Sequence, residues 1–409
     1  MSVPVRPPLL AKLLVGGAGI MSLANSITIP FLAIFFSREL DLDPATIGLV
    51  IGSSVFFSIF AGFLGGTLSD IFGRAPVLLA SLLGVVVAFT GFYLAEHVIV
   101  VFACNALMAL STASFSPVAK ALLADLLPAG DRVRWFSYQY VVFNVGFAVG
   151  PLLGVFLGVS GGRGAFLVAA LAYGVYLVIL ASALRGAPTV AADRAETSSV
   201  LNRFAGSIRA VTTDRRLLCF LIAGLLLESV HLRVSALLAQ DLNHDFTEGA
   251  AILAVVMTTN AVTVVVFQLF ASKIVLRKDP VTAIVIGGLL MFAGMVGFAT
   301  ATGMWAFIVA MVVFSIGETF IVPSEFAIID RIAPEERRGS YFGAQTFAQL
   351  GGFVGPYLGG LLLATWNGTV MFLGVGVLAL FSASFYLAVG RRVPGLMRPV
   401  KEEATSAVG

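Results

Sequence analysis

The stretch GETFIVPSEF carries two acids, Glu318 and Glu325, inside a run that is otherwise apolar from Trp305 to Asp330. An ionised group at the centre of an apolar helix costs about 2.5–3.5 kcal/mol, so such groups face water, a partner or an ion pathway. Of the 22 acids, Glu228, Glu318 and Glu325 fall inside apolar runs. Taking a carboxylate out of water favours its neutral form, and that is the chemistry of a proton carrier. Glu318 has no basic residue near it in its own run, which singles it out for that role. Glu325 lies seven residues on, on nearly the same helical face unless Pro323 rotates the lower part. It reads either as a second carrier or as an interfacial charge paired with Arg331 or Arg338. Glu228 and His231 are three apart and can touch along one face, whereas Arg233 points elsewhere. The Glu228 group handles protons or is neutralised within its own helix by His231 or Arg233. Two ligand types without a further His or Cys cluster do not make a metal site, so no metal and no cofactor is expected.

The elements that position these acids follow from composition. With 59% hydrophobic and 11% charged residues and a mean hydropathy of +1.00, the chain lies far from soluble domains, which are about 45–50% apolar. Twelve apolar runs are long enough to cross a hydrocarbon layer of about 30 Å as helices. The first set has cores at Leu9–Phe36, Thr46–Ser69, Pro76–Leu94, Val98–Ala124, Trp135–Ser160 and Gly164–Leu184. The second has cores at Leu217–Gln240, Ala250–Leu276, Val281–Thr302, Trp305–Ile329, Tyr341–Thr365 and Val370–Gly390. The predicted organisation is a six-helix bundle over 1–184, a cytoplasmic linker over 185–216, a second bundle over 217–390 and a cytoplasmic tail over 391–409. The first run carries no small-residue cleavage site and reads as a retained span.

Charge sets the expected orientation. With both termini cytoplasmic, all but three of the 25 lysines and arginines fall on the cytoplasmic side. The three are Arg38 and Arg163 on the opposite side and Arg233 within span seven. The net charge of +3 is too small to indicate nucleic acid. Cys104 and Cys219 lie in apolar runs and read as packing residues.

The halves repeat one another. Gly146-x-x-x-Gly150-Pro151-x-x-Gly154 in span five recurs as Gly351-x-x-x-Gly355-Pro356-x-x-Gly359 in span eleven, 205 residues on. Flanking residues recur at nearly the same offset: Ser137-Tyr138 against Ser340-Tyr341, and Asp125, Pro128 and Arg132 against Asp330, Pro334 and Arg337. Glycines four apart form a smooth stripe along which helices can pack closely. Such a stripe serves a static seam or an interface that rocks.

On these residues the chain resembles the major facilitator superfamily, and the subgroup of drug:proton antiporters with twelve spans. Gly66-Thr-Leu-Ser-Asp70-Ile-Phe-Gly73-Arg74 is similar to the family's loop motif, with Ile71 and Ala75 where basic residues are usual. The glycine–proline motif of span five resembles that of proton-driven exporters, and Glu318 with Pro323 and Ser324 resembles the multidrug antiporters' span ten. The segment Asn25 to Pro30 looks like their span one, and Asn105 stands where an arginine is common. The resemblance implies an all-α membrane fold of two pseudo-symmetric six-helix bundles. It also implies a cytoplasmic latch, with Asp70 at the start of span eleven and Arg74 reaching Asp125. Gly66, Asp70, Gly73, Arg74, Asp125, Gly146, Gly150, Pro151, Gly154, Gly355 and Pro356 are the expected gating residues.

The polar residues Asn25, Ser26, Thr112, Gln139 and Asn144, with Gln345 and Gln349 from the second half, are the expected cavity groups. With 34 phenylalanines they suit a large apolar pocket with few fixed polar contacts. The expected activity is proton-coupled antiport of amphipathic, cationic small molecules out of the cell, by one chain acting as a monomer in the inner membrane. Export of one metabolite or siderophore, or lipid flipping, uses the same machinery and stays open. No nucleophile or metal constellation suggests an enzyme.

Overall fold

The computed structural model describes residues 9–185, 214–277, 279–334, 338–392 and 396–397. Among the described residues there are helices and turns and no strand, and 12 helices are long and apolar enough to cross a membrane. In lipid every backbone polar group must be satisfied within the chain, and a helix does this within each segment.

Several spans depart from a straight rod. Span one is Leu9–Thr28, a tight turn Ile29–Phe31, then Leu32–Leu40. Pro30 in that turn has no N–H to donate. The Thr28 hydroxyl turns back onto the carbonyls of Ala24 and Asn25, each at 3.1 Å. The span ends at Asp41, whose backbone is left-handed with φ 51°. Span two, Pro44–Phe72, opens with Pro44 at its first turn, where a missing N–H costs nothing. Asp43 caps it: one carboxylate oxygen accepts from the amides of Ala45 and Thr46 at 3.0 Å, and the other from the Thr46 hydroxyl. These bonds, the Thr46 hydroxyl's first, hold the Asp43 carboxyl below the usual carboxylate range.

Gly73, at φ +87°, makes the corner into span three, Arg74–Leu94. A side chain is strained in that conformation, which only glycine adopts freely. Spans four to six are Val98–Asp125, Ala129–Phe156 and Arg163–Arg185. Span seven is broken into Arg215–His231 and Val234–Asp245, because the Arg233 backbone leaves the helical range at φ −133°, ψ 28°. Spans eight to ten are Gly249–Arg277, Pro280–Thr300 and Met304–Ile332. Span eleven is Arg338–Gln345, a tight stretch Thr346–Leu350, then Gly351–Thr365, and span twelve is Gly368–Arg392.

The helices form two compact units, residues 1–41 with 56–197 and residues 42–55 with 198–409. The first half of span two thus belongs with spans seven to twelve. There its backbone meets span eleven closely. A methyl group added at Gly48 would collide with the Pro356 carbonyl, and one at Gly52 would lie 2.9 Å from the Phe353 carbonyl.

Each unit has an aromatic core. In the first, Phe166 meets Phe35 edge-on at 4.6 Å and stacks on Phe92 at 5.1 Å. In the second, Phe298 gathers Phe307, Phe314 and Phe372 within 6.2 Å. Rings at these separations add about 0.5–1.5 kcal/mol per pair beyond the area they bury.

Candidate functional site

The second unit holds Glu228, Glu318 and Glu325, the three acids that the apolar runs single out. Glu318, half-buried on span ten, accepts a hydrogen bond from the Asn260 side-chain amide of span eight at 2.8 Å. The same amide nitrogen lies 2.9 Å from the Ser315 hydroxyl, one turn before Glu318. An amide steadies the carboxylate without cancelling its charge, since it donates hydrogen bonds and carries no proton of its own to exchange.

Glu325 is enclosed, at 4% exposure. Tyr386 of span twelve donates its hydroxyl to one carboxylate oxygen at 2.9 Å, and Gln345 of span eleven donates to the other at 3.3 Å. Glu318 and Glu325 therefore address different neighbours along one helix. The interfacial pairing of Glu325 with Arg331 is not the arrangement found, since Arg331 donates to the Leu396 carbonyl at 3.0 Å; the Arg338 side chain lies outside the described residues.

On span seven, His231 Nδ1 stands 3.2 Å from Glu228 Oε2. The two atoms are within ion-pair reach but not aligned for a hydrogen bond. Arg233, at the break of the helix, sends its guanidinium to the Ser54 hydroxyl of span two at 2.9 Å. Its Nε finds no acceptor.

The first unit holds a cavity of about 600 Å³. Its walls come from three helices, and each contributes one face. Span one supplies Ala18, Met21 and Asn25; span four supplies Thr112, Phe115, Ser116, Ala119 and Lys120; span five supplies Phe136, Gln139, Tyr140 and Phe143. The spacings of three and four are those of a single helical face. Asn25 accepts from the Tyr173 hydroxyl at 3.0 Å. The Thr112 hydroxyl donates to the Met108 carbonyl one turn back at 2.8 Å, which leaves its lone pairs for a ligand.

The other expected cavity groups sit elsewhere. Ser26 is buried against span five, with its hydroxyl 3.0 Å from the Gly146 carbonyl. Asn144 donates to the Tyr140 carbonyl of its own helix at 2.8 Å. Gln345 belongs to the Glu325 cluster, and Gln349 is exposed on the tight stretch of span eleven.

The glycine motifs lie inside the units. A methyl group at Gly146 would be 2.8 Å from the Gly19 carbonyl, and one at Gly150 would overlap the Ser26 hydroxyl, both on span one. One at Gly154 would sit 2.8 Å from the Ser160 hydroxyl and 3.3 Å from Ile27. At Gly355 it would run into the Ser229 carbonyl of span seven. Pro151 and Pro356 stand inside these helices. Arg74 Nε meets Asp125 Oδ2 at 2.6 Å, with both side chains about a third exposed. The side chain of Asp70 and the surroundings of Gly66 lie outside the described residues.

Sequence reasoning missed Asn260 and Tyr386. Each is a polar group in an apolar run, the only signal available, and many such groups merely bond their own helix. Cys104 and Cys219 are free. Among the described residues no group of three or more His, Cys, Asp or Glu could hold a metal ion.

Twelve spans in two helical units, with buried acids in one and a polar-flecked cavity in the other, are the arrangement of a membrane transporter rather than an enzyme. The sequence pattern of the Major Facilitator Superfamily matches residues 14–344 and again 232–408, and the chain belongs to that family. It is 31% identical over 345 residues to the MFS-type transporter YqjV of Bacillus subtilis (strain 168), covering 83% of each chain. It is 22% identical over 361 residues to the quinolone resistance protein NorA of Staphylococcus aureus (strain MSSA476), covering 87% of this chain and 90% of that one. Among solved structures the nucleoside transporter NupG superposes with a TM-score of 0.81 at 16% identity, over 93% of this chain and 99% of that one. At that identity the likeness speaks for the fold.

Proposed function

We propose that the chain is a proton-coupled exporter of amphipathic, cationic small molecules, working by alternating access in the inner membrane with both termini cytoplasmic. The carrying observation is Glu318, a half-buried carboxylate on span ten that accepts a hydrogen bond from the neutral Asn260 and, among the described residues, makes no salt bridge. Such a group can be loaded by a proton or by a cation, and not by both. Competition of that kind makes the two fluxes exclusive and opposed.

The driving force is sufficient, since moving one charge across 100 mV is worth about 2.3 kcal/mol. Glu325 and the Glu228–His231 pair, with Arg233 at the break of span seven, supply further proton-handling groups in the same unit. Conformational change is assigned to the Arg74–Asp125 pair and to the glycine seams of spans five and eleven. The relative NorA, a quinolone resistance protein, supports export of drug-like cargo.

The test uses the full chain in proteoliposomes under an imposed pH gradient. Glu318→Gln is expected to abolish cargo-induced proton release and to weaken binding of cationic cargo. Undiminished release would remove Glu318 from the mechanism, and uptake of dye cations that ignores the gradient would remove proton coupling altogether.

A further inference from the structure

The first unit's cavity contains one feature that export of simple cations does not need. Lys120 is among the residues lining it, and among the described lining residues it is the one charged side chain. Its position is set by helix geometry. Thr112, Ser116 and Lys120 follow one another at intervals of four on span four, so Lys120 leaves the helix on the face that forms the cavity wall. A lysine that only marked the cytoplasmic end of a helix could as well point to the lipid headgroups, snorkelling along its apolar stem. This one is an exposed residue that also lines a cavity.

The acid that follows on the same helix, Asp125, is engaged by Arg74 at 2.6 Å. Lys120 offers three donors and no acceptor. Around it, Ser116, Gln139 and Tyr140 add neutral polar groups, while Phe115 and Phe136 supply aromatic surface.

We propose that Lys120 forms an anion subsite, which takes a carboxylate or comparable anionic group at the end of an aromatic cargo whose body lies against Phe115 and Phe136. This rests on the exporter reading and narrows it: the preferred cargo is a zwitterionic amphipath rather than a plain cation. The same ammonium repels a cargo that is only positive, so it sharpens selectivity from both sides.

The experiment uses a matched pair of dyes, rhodamine 110, which bears a free carboxylate, and rhodamine 123, its methyl ester. Equilibrium binding to the detergent-solubilised full chain is read by fluorescence anisotropy, and transport is read in proteoliposomes under a pH gradient. Wild type is expected to bind the acid about tenfold more tightly than the ester, the scale of one charge-assisted hydrogen bond. Lys120→Gln should lose that preference, by weaker acid binding with ester binding at least as tight as in wild type, Lys120→Arg should keep it, and Lys120→Glu should reverse it. Retained ester binding shows that each variant is folded.

Equal binding of acid and ester by wild type, or an equal loss of both in Lys120→Gln, would overturn the subsite. If neither dye crosses the membrane in response to the gradient while the acid preference and its loss in Lys120→Gln persist, the exporter reading fails and the subsite stands.

Discussion

Asn260 on span eight donates its side-chain amide to Glu318 on span ten at 2.8 Å, and the same nitrogen lies 2.9 Å from Ser315. A neutral donor holds the acid in one place without neutralising it. The carboxylate is thereby held in one orientation.

Removing that donor should therefore slow transport without unfolding the chain. A hydrogen bond to a charged group contributes about 1.5–3 kcal/mol, so Asn260→Leu is expected to lower initial transport rates by about tenfold or more. Thermal unfolding in detergent serves as the control. Wild-type rates in Asn260→Leu would show that the amide does not position Glu318.

Tyr386→Phe removes the hydroxyl that Glu325 accepts from at 2.9 Å. A buried polar group left short of a partner costs about 1–3 kcal/mol. The variant is expected to melt at a lower temperature than wild type, and Tyr386→Phe combined with Glu325→Leu should recover part of the loss, because the orphaned carboxylate is then gone. Additive losses in the double variant would show that the two side chains do not interact.

Glycine substitutions should divide by what the missing side chain would meet. At Gly150 a methyl group overlaps the Ser26 hydroxyl and approaches the Leu23 carbonyl at 2.9 Å, whereas at Gly174 nothing lies within 4 Å. Overpacking costs about 1–3 kcal/mol, so Gly150→Ala should destabilise the chain. Gly174→Ala should be neutral or stabilise it by up to about 1 kcal/mol, since alanine is the better helix former. Scanning calorimetry of the two variants in one detergent tests the contrast.

Arg74 and Asp125, 2.6 Å apart, are both about a third exposed. Exposed pairs contribute about 0.2–1 kcal/mol to stability. A double-mutant cycle with Arg74→Gln and Asp125→Asn should thus return a small coupling energy in thermal unfolding. Under the proposed gating role, in which the contact forms in one conformation only, transport rates should change more than stability does. A stability coupling of several kcal/mol with unchanged rates would make the pair a structural clamp instead.

The cap of span two carries a pH signature. The Asp43 carboxyl is held below its usual range by the Thr46 hydroxyl and by backbone amides, so its ionised form is the one the fold favours. That contribution is fully present above the ordinary aspartate value of about 3.9 and is lost as pH falls through the lowered folded value. Asp43→Ala is expected to cost about 0.5–1 kcal/mol at neutral pH and Asp43→Asn much less, since asparagine caps nearly as well. Melting curves of wild type and Asp43→Ala should converge on acidification, and a gap that widens instead would contradict the assignment.

Much of this fold was legible in the residue order because the bilayer removes alternatives. A run of about 20 apolar residues in lipid has no backbone partner except itself, so Val281–Thr302 had to be a helix, and Pro280–Thr300 is one. The same solvent made Glu228, Glu318 and Glu325 conspicuous, since an acid there needs a physical reason. The recurrence of Gly150-Pro151 as Gly355-Pro356 likewise announced two related halves.

What the order of residues left open was the rotation and neighbourhood of each helix. Asn260 and Tyr386 gave the same signal as any polar residue in an apolar run, yet one reaches Glu318 and the other Glu325 across the packing of spans eight, ten and twelve. Ser26 belonged to the expected cavity group and turned out to serve helix packing, while Lys120 counted among the cytoplasmic charges and lines the cavity. The break at Arg233 and the membership of residues 42–55 in the second unit had no local sign either. Hydrophobic burial acts on a whole segment and is written along the chain. A hydrogen bond of 2.8 Å depends on which faces of two helices meet, and only the packed bundle decides that.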